Sequence, residues 1–549
     1  MTGAPDSAGV APIDLDTELA ALARARAATG TKLAKLTSLD NEAADEFTEA
    51  FIDAVVGHTI EKLQQELVVF GRIDDEMAWR IGLYGIDSGG EQLVVDWRAP
   101  FAEGFYQATL EDPRGLRCRV SYVGCIADLM VEDFVSGGVS GSSPLMTELS
   151  RSRGTEMRAA VATLQSEQDR LVRLDPAARM VLRGGPGTGK TVVALHRAAW
   201  LVYNDRRVTS DQFLVIGPSD RFLRFVSAVL PTLGEARIVQ TTFERHLGAS
   251  TAPGSDPRWL DLLDRLEASL PVPTTVRHSG RWIDLDEIAE WCERIAALSV
   301  PWRERRKIFL GRVASRLEIS NKEATRVAGS VIPAMSTTQA WRKVRSKATL
   351  RQLGVDEDFI AEWLAVEGDG ALLDEVKARF EGVTTRYAHV VVDEAQDLSL
   401  FQLRAVMRRA DGYTIVGDDA QRSNPMGLGL RAVADILDTT LEQMDIAYRM
   451  SAEIADWLNA HAEANGIDSV RLVGIRPNGI GVTVDPAADP AAVEAELRER
   501  WENVALIAAP DVWIHKGIEY DGVVVDTTGL SAAEIYLAAS RAAHQLVII

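Results

Sequence analysis

The chain is poor in the features that mark secreted, membrane and zinc-structured proteins. It has three cysteines in 549 residues, Cys118, Cys125 and Cys292. That is too few for a disulfide framework, and no cysteine–histidine cluster has the spacing of a structural zinc site. No apolar run approaches the roughly 18 residues that a bilayer-spanning helix needs. The opening residues, MTGAPDSAGVAPIDLD, lack the basic flank and apolar stretch of a secretory signal. These absences predict a cytoplasmic protein with no membrane association. Positive charge is scarce as well. The net charge is −21, which speaks against a bulk electrostatic grip on nucleic acid. The charge is unevenly spread. Residues 1–100 carry 18 Asp and Glu against 8 Lys and Arg, a net of −10, whereas residues 301–351 carry 3 against 13, a net of +10. Charge runs are most often solvated helix faces, yet two of opposite sign suit different partners.

Against this background two strings stand out. Residues 184–191 read GGPGTGKT, Gly184, Gly185, Pro186, Gly187, Thr188, Gly189, Lys190 and Thr191, and fit G-x-x-x-x-G-K-[ST]. Glycines let a backbone fold tightly around phosphate oxygens and aim N–H groups at them. Lys190 supplies a cation for the β- and γ-phosphates, and Thr191 a hydroxyl for Mg²⁺. Some two hundred residues later the chain reads VVVDEAQD (390–397). This apolar run ends in Asp393, a metal-binding carboxylate, and Glu394, a water-activating one. A P-loop after a strand, opening a helix and paired with such a strand end, predicts ATP and Mg²⁺ as the ligands and hydrolysis as the chemistry.

Patterning divides the rest. Residues 1–12 have a disordered composition. Residues 13–69 read as two helices forming a hairpin, the second carrying Phe47, Phe51, Val55, Leu63 and Leu67 near helical spacing. Such a hairpin either protrudes to a partner or packs on its own protein. Residues 70–150 are β-rich, with DSGG and DPRG as turns. Strand–helix alternation then predicts an α/β fold with parallel sheets. One domain comprises 151–249 and 386–436, a helical insertion occupies 250–385, and a second domain runs over 437–549. Within the insertion the basic run 301–351, with Trp302 and Trp341, offers charge and rings to nucleic acid; as the plainer alternative, the tryptophans are helical core.

The motor part resembles the UvrD/Rep-type superfamily 1 helicases. LQSEQDRLV resembles the Q motif, which implies Gln168 on the adenine edge, and TVVALHR places Arg197 near the base. GDDAQ resembles the motif whose glutamine, Gln421, senses the γ-phosphate. AYRMS implies Tyr448 stacked on adenine and Arg449 as an arginine finger. HKGIEYD implies Glu519 on the ribose, and YLAASRA implies Arg541 as a second finger. The resemblance implies two RecA-like motor domains whose closure drives hydrolysis. The parts that would grip DNA differ from that pattern. RSNPMGLGL follows Gln421 without an aromatic, and PSDRFLRFV follows the strand FLVIG. FGRID, WRIGLY, LVVDWRAPFAEGFYQAT and MRAAVATLQSEQDRLVR resemble the HelD-like branch. Its members bind bacterial RNA polymerase, insert an N-terminal hairpin into its secondary channel, help dislodge nucleic acid and in some relatives protect against rifamycins. The resemblance implies a monomeric, RNA polymerase-binding ATPase that remodels, recycles or protects transcription complexes. A 3′ to 5′ DNA helicase and a nucleotide-gated binding module without turnover are the alternatives.

Overall fold

A computed structural model describes residues 14–36, 69–122, 129–141, 164–233 and 237–549. The first helix, Leu15–Leu36, is present; the second helix of the expected hairpin lies outside the described residues. The first helix packs on a seven-stranded sheet made of β1 (Val69–Asp74), β2 (Ala78–Gly82), β3 (Ile86–Ser88), β4 (Glu91–Asp96), β5 (Cys118–Tyr122), β6 (Leu129–Asp133) and β7 (Gly138–Ser140), in the order β3-β4-β2-β1-β5-β6-β7. Leu22 and Ala25 enter the core of that sheet. Glu18, buried, is held by Arg72 at 2.9 Å and Arg80 at 2.8 Å and accepts from the Tyr122 hydroxyl. A buried carboxylate is tolerated only with such partners.

The first parallel sheet begins with β8 (Met180–Gly184), β9 (Phe213–Gly217) and β10 (Val239–Thr242). The chain then leaves it for the insertion, which contains one hairpin, β11 (Val276–His278) with β12 (Arg281–Ile283), and helices from Arg258–Ser269 to Gly370–Phe380. Side-chain caps define those helix starts, among them Ser320 with Glu323, Ser336 with Gln339, Asp356 and Asp369. Trp302 is in the apolar core of the insertion and Trp341, half-buried, packs against it; the Trp302 indole N–H donates to the Pro333 carbonyl at 2.8 Å.

The sheet resumes with β13 (Tyr387–Val392), β14 (Ala410–Gly417) and β15 (Leu441–Met444), giving the order β10-β9-β13-β14-β8-β15, all parallel. Val390, Val391 and Val392 are buried in the middle of the sheet, as a β-branched run covered on both faces should be. One boundary differs from the expectation drawn from patterning. β15 closes the edge of the first sheet beside β8, so the crossover to the second unit falls after Met444 rather than at 437. That unit contains β16 (Ile446–Ala447) paired with β17 (Val473–Gly474), and a second parallel sheet of β18 (Thr483–Val484), β19 (Val504–Ile507), β20 (Tyr520–Val525) and β21 (Ala542–Ile548), in the order β18-β21-β20-β19. The small N-terminal sheet is not a free appendage. Ile73, Trp97 and Phe105 share one core with β8 and the helix Lys190–Asn204 that follows the P-loop.

Candidate active site

The P-loop runs from the end of β8 into the helix Lys190–Asn204. Gly187 and Gly189 adopt φ of +74° and +87°, the left-handed region that a side chain rarely enters. The Lys190 ammonium donates to the Gly185 carbonyl at 2.9 Å, and the Thr188 hydroxyl donates to the same oxygen at 2.9 Å. The second unit covers the loop. The Tyr448 N–H donates to the Gly187 carbonyl at 3.0 Å, and a Cβ at Gly185 would sit 2.3 Å from Leu472 Cδ2.

Strand β13, separated from β8 by β14, delivers Asp393 and Glu394 at its end. Thr191 Oγ1 donates to Asp393 Oδ2 at 2.5 Å. Burial, and then the neighbouring charge of Glu394, push the Asp393 carboxyl up to about 6. Glu394 stands in the left-handed region at φ +54°, strain of the kind found at functional sites. Burial opposes its ionisation, but Lys516 and Lys190, with the Gln396 amide, outweigh burial and hold it below the ordinary carboxyl range. Two oxygen donors side by side, one a buried carboxylate short of counter-charge, fit Mg²⁺, which takes one or two carboxylates and completes its shell from phosphate and water.

From Glu394 a chain of hydrogen bonds crosses to the second unit. Gln396 Nε2 donates to Glu394 Oε2 at 2.6 Å, and Gln396 Oε1 accepts the Asp418 N–H at 3.0 Å. Gln421 Nε2 donates to Asp418 Oδ2 at 2.7 Å, and Gln421 Oε1 accepts from Arg541 Nη2 at 2.7 Å. Lys516 makes a second crossing, reaching Asp397 at 2.7 Å, Glu394 at 3.2 Å and the Gln421 carbonyl at 2.9 Å. Arg449 pairs with Glu519 at 2.9 Å.

The structure therefore brings Lys190, Thr191, Asp393, Glu394, Gln421, Arg449, Glu519 and Arg541 to the junction of the two parallel-sheet units, with Tyr448 on the P-loop. Two expected residues behave otherwise. Gln168 lies beside the P-loop, but its Nε2 donates to the Thr188 carbonyl at 3.0 Å and its Oε1 accepts from Gln165 N at 3.1 Å, so both polar ends are engaged by backbone. Arg197, expected near the base, is also taken up by backbone. It is fully buried and donates to the carbonyls of Val172, Leu174, Asp175 and Ala178 at 2.8–3.1 Å, pinning the turn before β8. Sequence reasoning gave no role to Lys516, Asp418 or Gln396, although each lies inside a quoted motif, HKGIEYD, GDDAQ or DEAQD.

Two parallel sheets, a P-loop on one and arginines from the other at a shared cleft define a P-loop motor of the helicase type. Residues 14–125 match the family described as DNA helicase IV HelD, N-terminal domain, and residues 168–425 match the AAA domain family. This pairing of an N-terminal HelD domain with a P-loop AAA domain is typical of the HelD-like branch of the UvrD/Rep superfamily 1 helicases. No curated protein matches it. Among solved structures it is similar to the Arterivirus nonstructural protein 10 helicase, at 13% identity over 70% of this chain and 62% of that one, TM-score 0.29. It is also similar to the PRRSV helicase, at 12% identity over 69% and 53%, TM-score 0.28. A third is Arterivirus nonstructural protein 10 in complex with DNA, at 14% over 71% and 64%, TM-score 0.27. The chain spans less than two thirds of each of these proteins. Among the described residues no helix is long and apolar enough to cross a membrane.

Proposed function

We propose that this chain is a cytoplasmic ATPase that uses hydrolysis to engage and remodel bacterial RNA polymerase complexes. The observation that carries the ATPase reading is the cleft itself. Thr191, Asp393, Glu394, Gln421 and Arg541 are linked by hydrogen bonds through Gln396 and Asp418 at one junction between two parallel-sheet units, with Lys190 on the adjoining P-loop. Glu394 orients a water and takes its proton as that water attacks the γ-phosphorus, whose bond to the bridging oxygen breaks to release ADP. Lys190, Arg449 and Arg541 neutralise the charge that spreads over the γ-oxygens, and Gln421 ties Arg541 to the first unit. Tyr448 offers its ring to adenine and Glu519 its carboxylate to the ribose. Thr191 and Asp393 would hold Mg²⁺, which would supply positive charge toward the phosphates. An arginine finger contributes on the order of 10³–10⁵ in rate, so placing both arginines on the second unit makes turnover depend on domain closure.

The polymerase reading rests on the N-terminal region. Its match to the HelD N-terminal family and the core it shares with the P-loop helix support a partner-contacting part mechanically joined to the engine. The segment after Gln421 carries no aromatic for stacking on a DNA track. Tagged full-length protein is expected to retain polymerase subunits from a bacterial lysate, with recovery changed by ATP; recovery of none would remove the polymerase from the proposal. A second reading, 3′ to 5′ translocation on DNA, is favoured by exposed Trp513 and Ile514 beside Lys516. It requires ATPase activity stimulated by single strands and lost with rising salt.

A further inference from the structure

The helical insertion holds a cleft that neither the nucleotide site nor the polymerase reading uses. It opens between the helix Arg258–Ser269 and the segment from Lys343 to Gly354, with a volume of about 310 Å³. Leu266 and Leu353, both buried, form its floor. Arg265, Lys343, Ser269, Thr349 and Gln352 form its rim, and no acidic residue lines it.

Two features of the rim point to an anion. Arg265 is fixed in advance: its Nη1 donates to the Leu353 carbonyl at 3.1 Å and its Nη2 pairs with Asp261 at 2.6 Å. Gly354 stands at φ +82°, and a Cβ there would lie 3.3 Å from Arg265 Nη1, so glycine lets the guanidinium lie against the turn. A cation held in place before binding loses little freedom when a ligand arrives. Lys343, in the last turn of the helix Thr337–Val344, pairs with no carboxylate among the described residues. The Thr349 hydroxyl and the Gln352 amide on the same rim are likewise unclaimed by other protein groups among the described residues. Beyond Arg265 and Gly354 a smaller cavity of about 100 Å³ continues toward Arg258 and Phe359. Asp261 and Asp356 face it, so the anionic preference belongs to the larger cleft.

We propose that this cleft is a second ligand site, taking a phosphomonoester of mononucleotide size. Arg265 and Lys343 would hold the phosphate, as charge-assisted hydrogen bonds from a planar fork and a point charge do. Thr349 and Gln352 would bind hydroxyl or carbonyl groups, and Leu266 with Leu353 would carry the apolar side of the ligand. The volume stands at the lower end of the range for small-molecule sites, which suits one mononucleotide and excludes a larger conjugate. The assignment is independent of what the motor cleft binds.

The test is calorimetric titration of the full chain, saturated with Mg–ADP to occupy the motor cleft. The probes are uridine 5′-monophosphate, uridine as its phosphate-free counterpart, and a short oligothymidine. The expected result is one site for uridine monophosphate, with uridine weaker by about tenfold or more, which corresponds to about 1.4 kcal/mol. Lys343→Glu should abolish that binding and Lys343→Arg should retain it, both with unchanged circular dichroism. Thr349→Val should weaken it about threefold, a second variant in case Lys343→Glu disturbs the fold. Four results would each overturn the proposal: no binding of uridine monophosphate to the wild type; equal binding of uridine; binding untouched by Lys343→Glu; or oligothymidine that displaces uridine monophosphate and binds more tightly than it.

Discussion

Two neighbours of the first parallel sheet, the helical insertion and the second parallel-sheet unit, meet it with different chemistry. Toward the insertion, Glu375 is buried and receives Arg379 and Arg404, each at 3.0 Å, and Arg408 at 2.5 Å. Asp374 next to it binds Arg408 at 2.8 Å and also Arg409. Phe401, on the helix Leu400–Met407 that follows DEAQD, is part of the core of the insertion. This contact has an apolar centre and a satisfied charge network, so separating it would leave several charges without partners. Toward the second unit, the bridging groups around the cleft are the ones proposed to face the nucleotide, together with Lys516. Arg541 rests on Gln421 and Lys516 on Glu394 across the junction, while Arg449 pairs with Glu519 within the second unit. Each can exchange a protein partner for a phosphate or ribose oxygen without a charge ever standing alone. The comparison teaches that one interface is built to stay and the other to break and re-form.

The largest expected effect is on the breakable side. Arg541→Ala should lower the ATPase kcat by about 10³-fold or more while leaving the melting temperature within a few degrees. Steady-state ATPase assays beside thermal melts check this, and a variant that turns over normally would show that Arg541 only braces Gln421. On the fixed side, Glu375→Ala leaves its arginines facing one another. Stability should fall by about 3–5 kcal/mol, the loss typical of removing one partner from a buried ion pair, as read by urea unfolding, with nucleotide affinity preserved. A loss of nucleotide affinity instead would mean that the insertion and the cleft are not separable.

A smaller effect comes from acid. His196 and His389 are fully buried in the first motor unit, and burial depresses them to about 4 and about 3. Because the folded values lie below the ordinary one, the stability they contribute is present above pH 6.5 and is lost as pH falls toward those values. The melting temperature should therefore drop progressively below pH 6.5, and His389→Asn should flatten that slope. The smallest effect concerns Lys516→Ala. It should leave both units folded but increase proteolysis between them about fivefold in nucleotide-free protein, since a single bridging cation contributes on the order of 1 kcal/mol. No change in proteolysis would assign the closed junction to Arg541 and the covering of the P-loop alone.

Much of this was legible in the sequence because it is local. The P-loop, DEAQD and the alternation of strands and helices are short strings with steric or electrostatic reasons to be where they are. What was not legible depended on direction and on distance along the chain. Arg197 shares a helix face with Lys190, but seven residues place it about 10 Å further along the axis, beside the turn it pins. Gln168, expected on the adenine edge, lies next to the P-loop with its amide taken by the Thr188 carbonyl. Lys516 lies three residues before Glu519, and its bond to Glu394 spans two folding units, which no local pattern encodes. The strand LEQM at 441–444 is too short to declare which sheet it joins.

The most direct test is to follow both interfaces in one protein by fluorescence energy transfer, with label pairs from Asp435 to Lys322 across the insertion and from Asp435 to Glu496 across the cleft. On adding Mg–ATP the second distance should change while the first stays constant. A change across the insertion with none across the cleft would contradict the account.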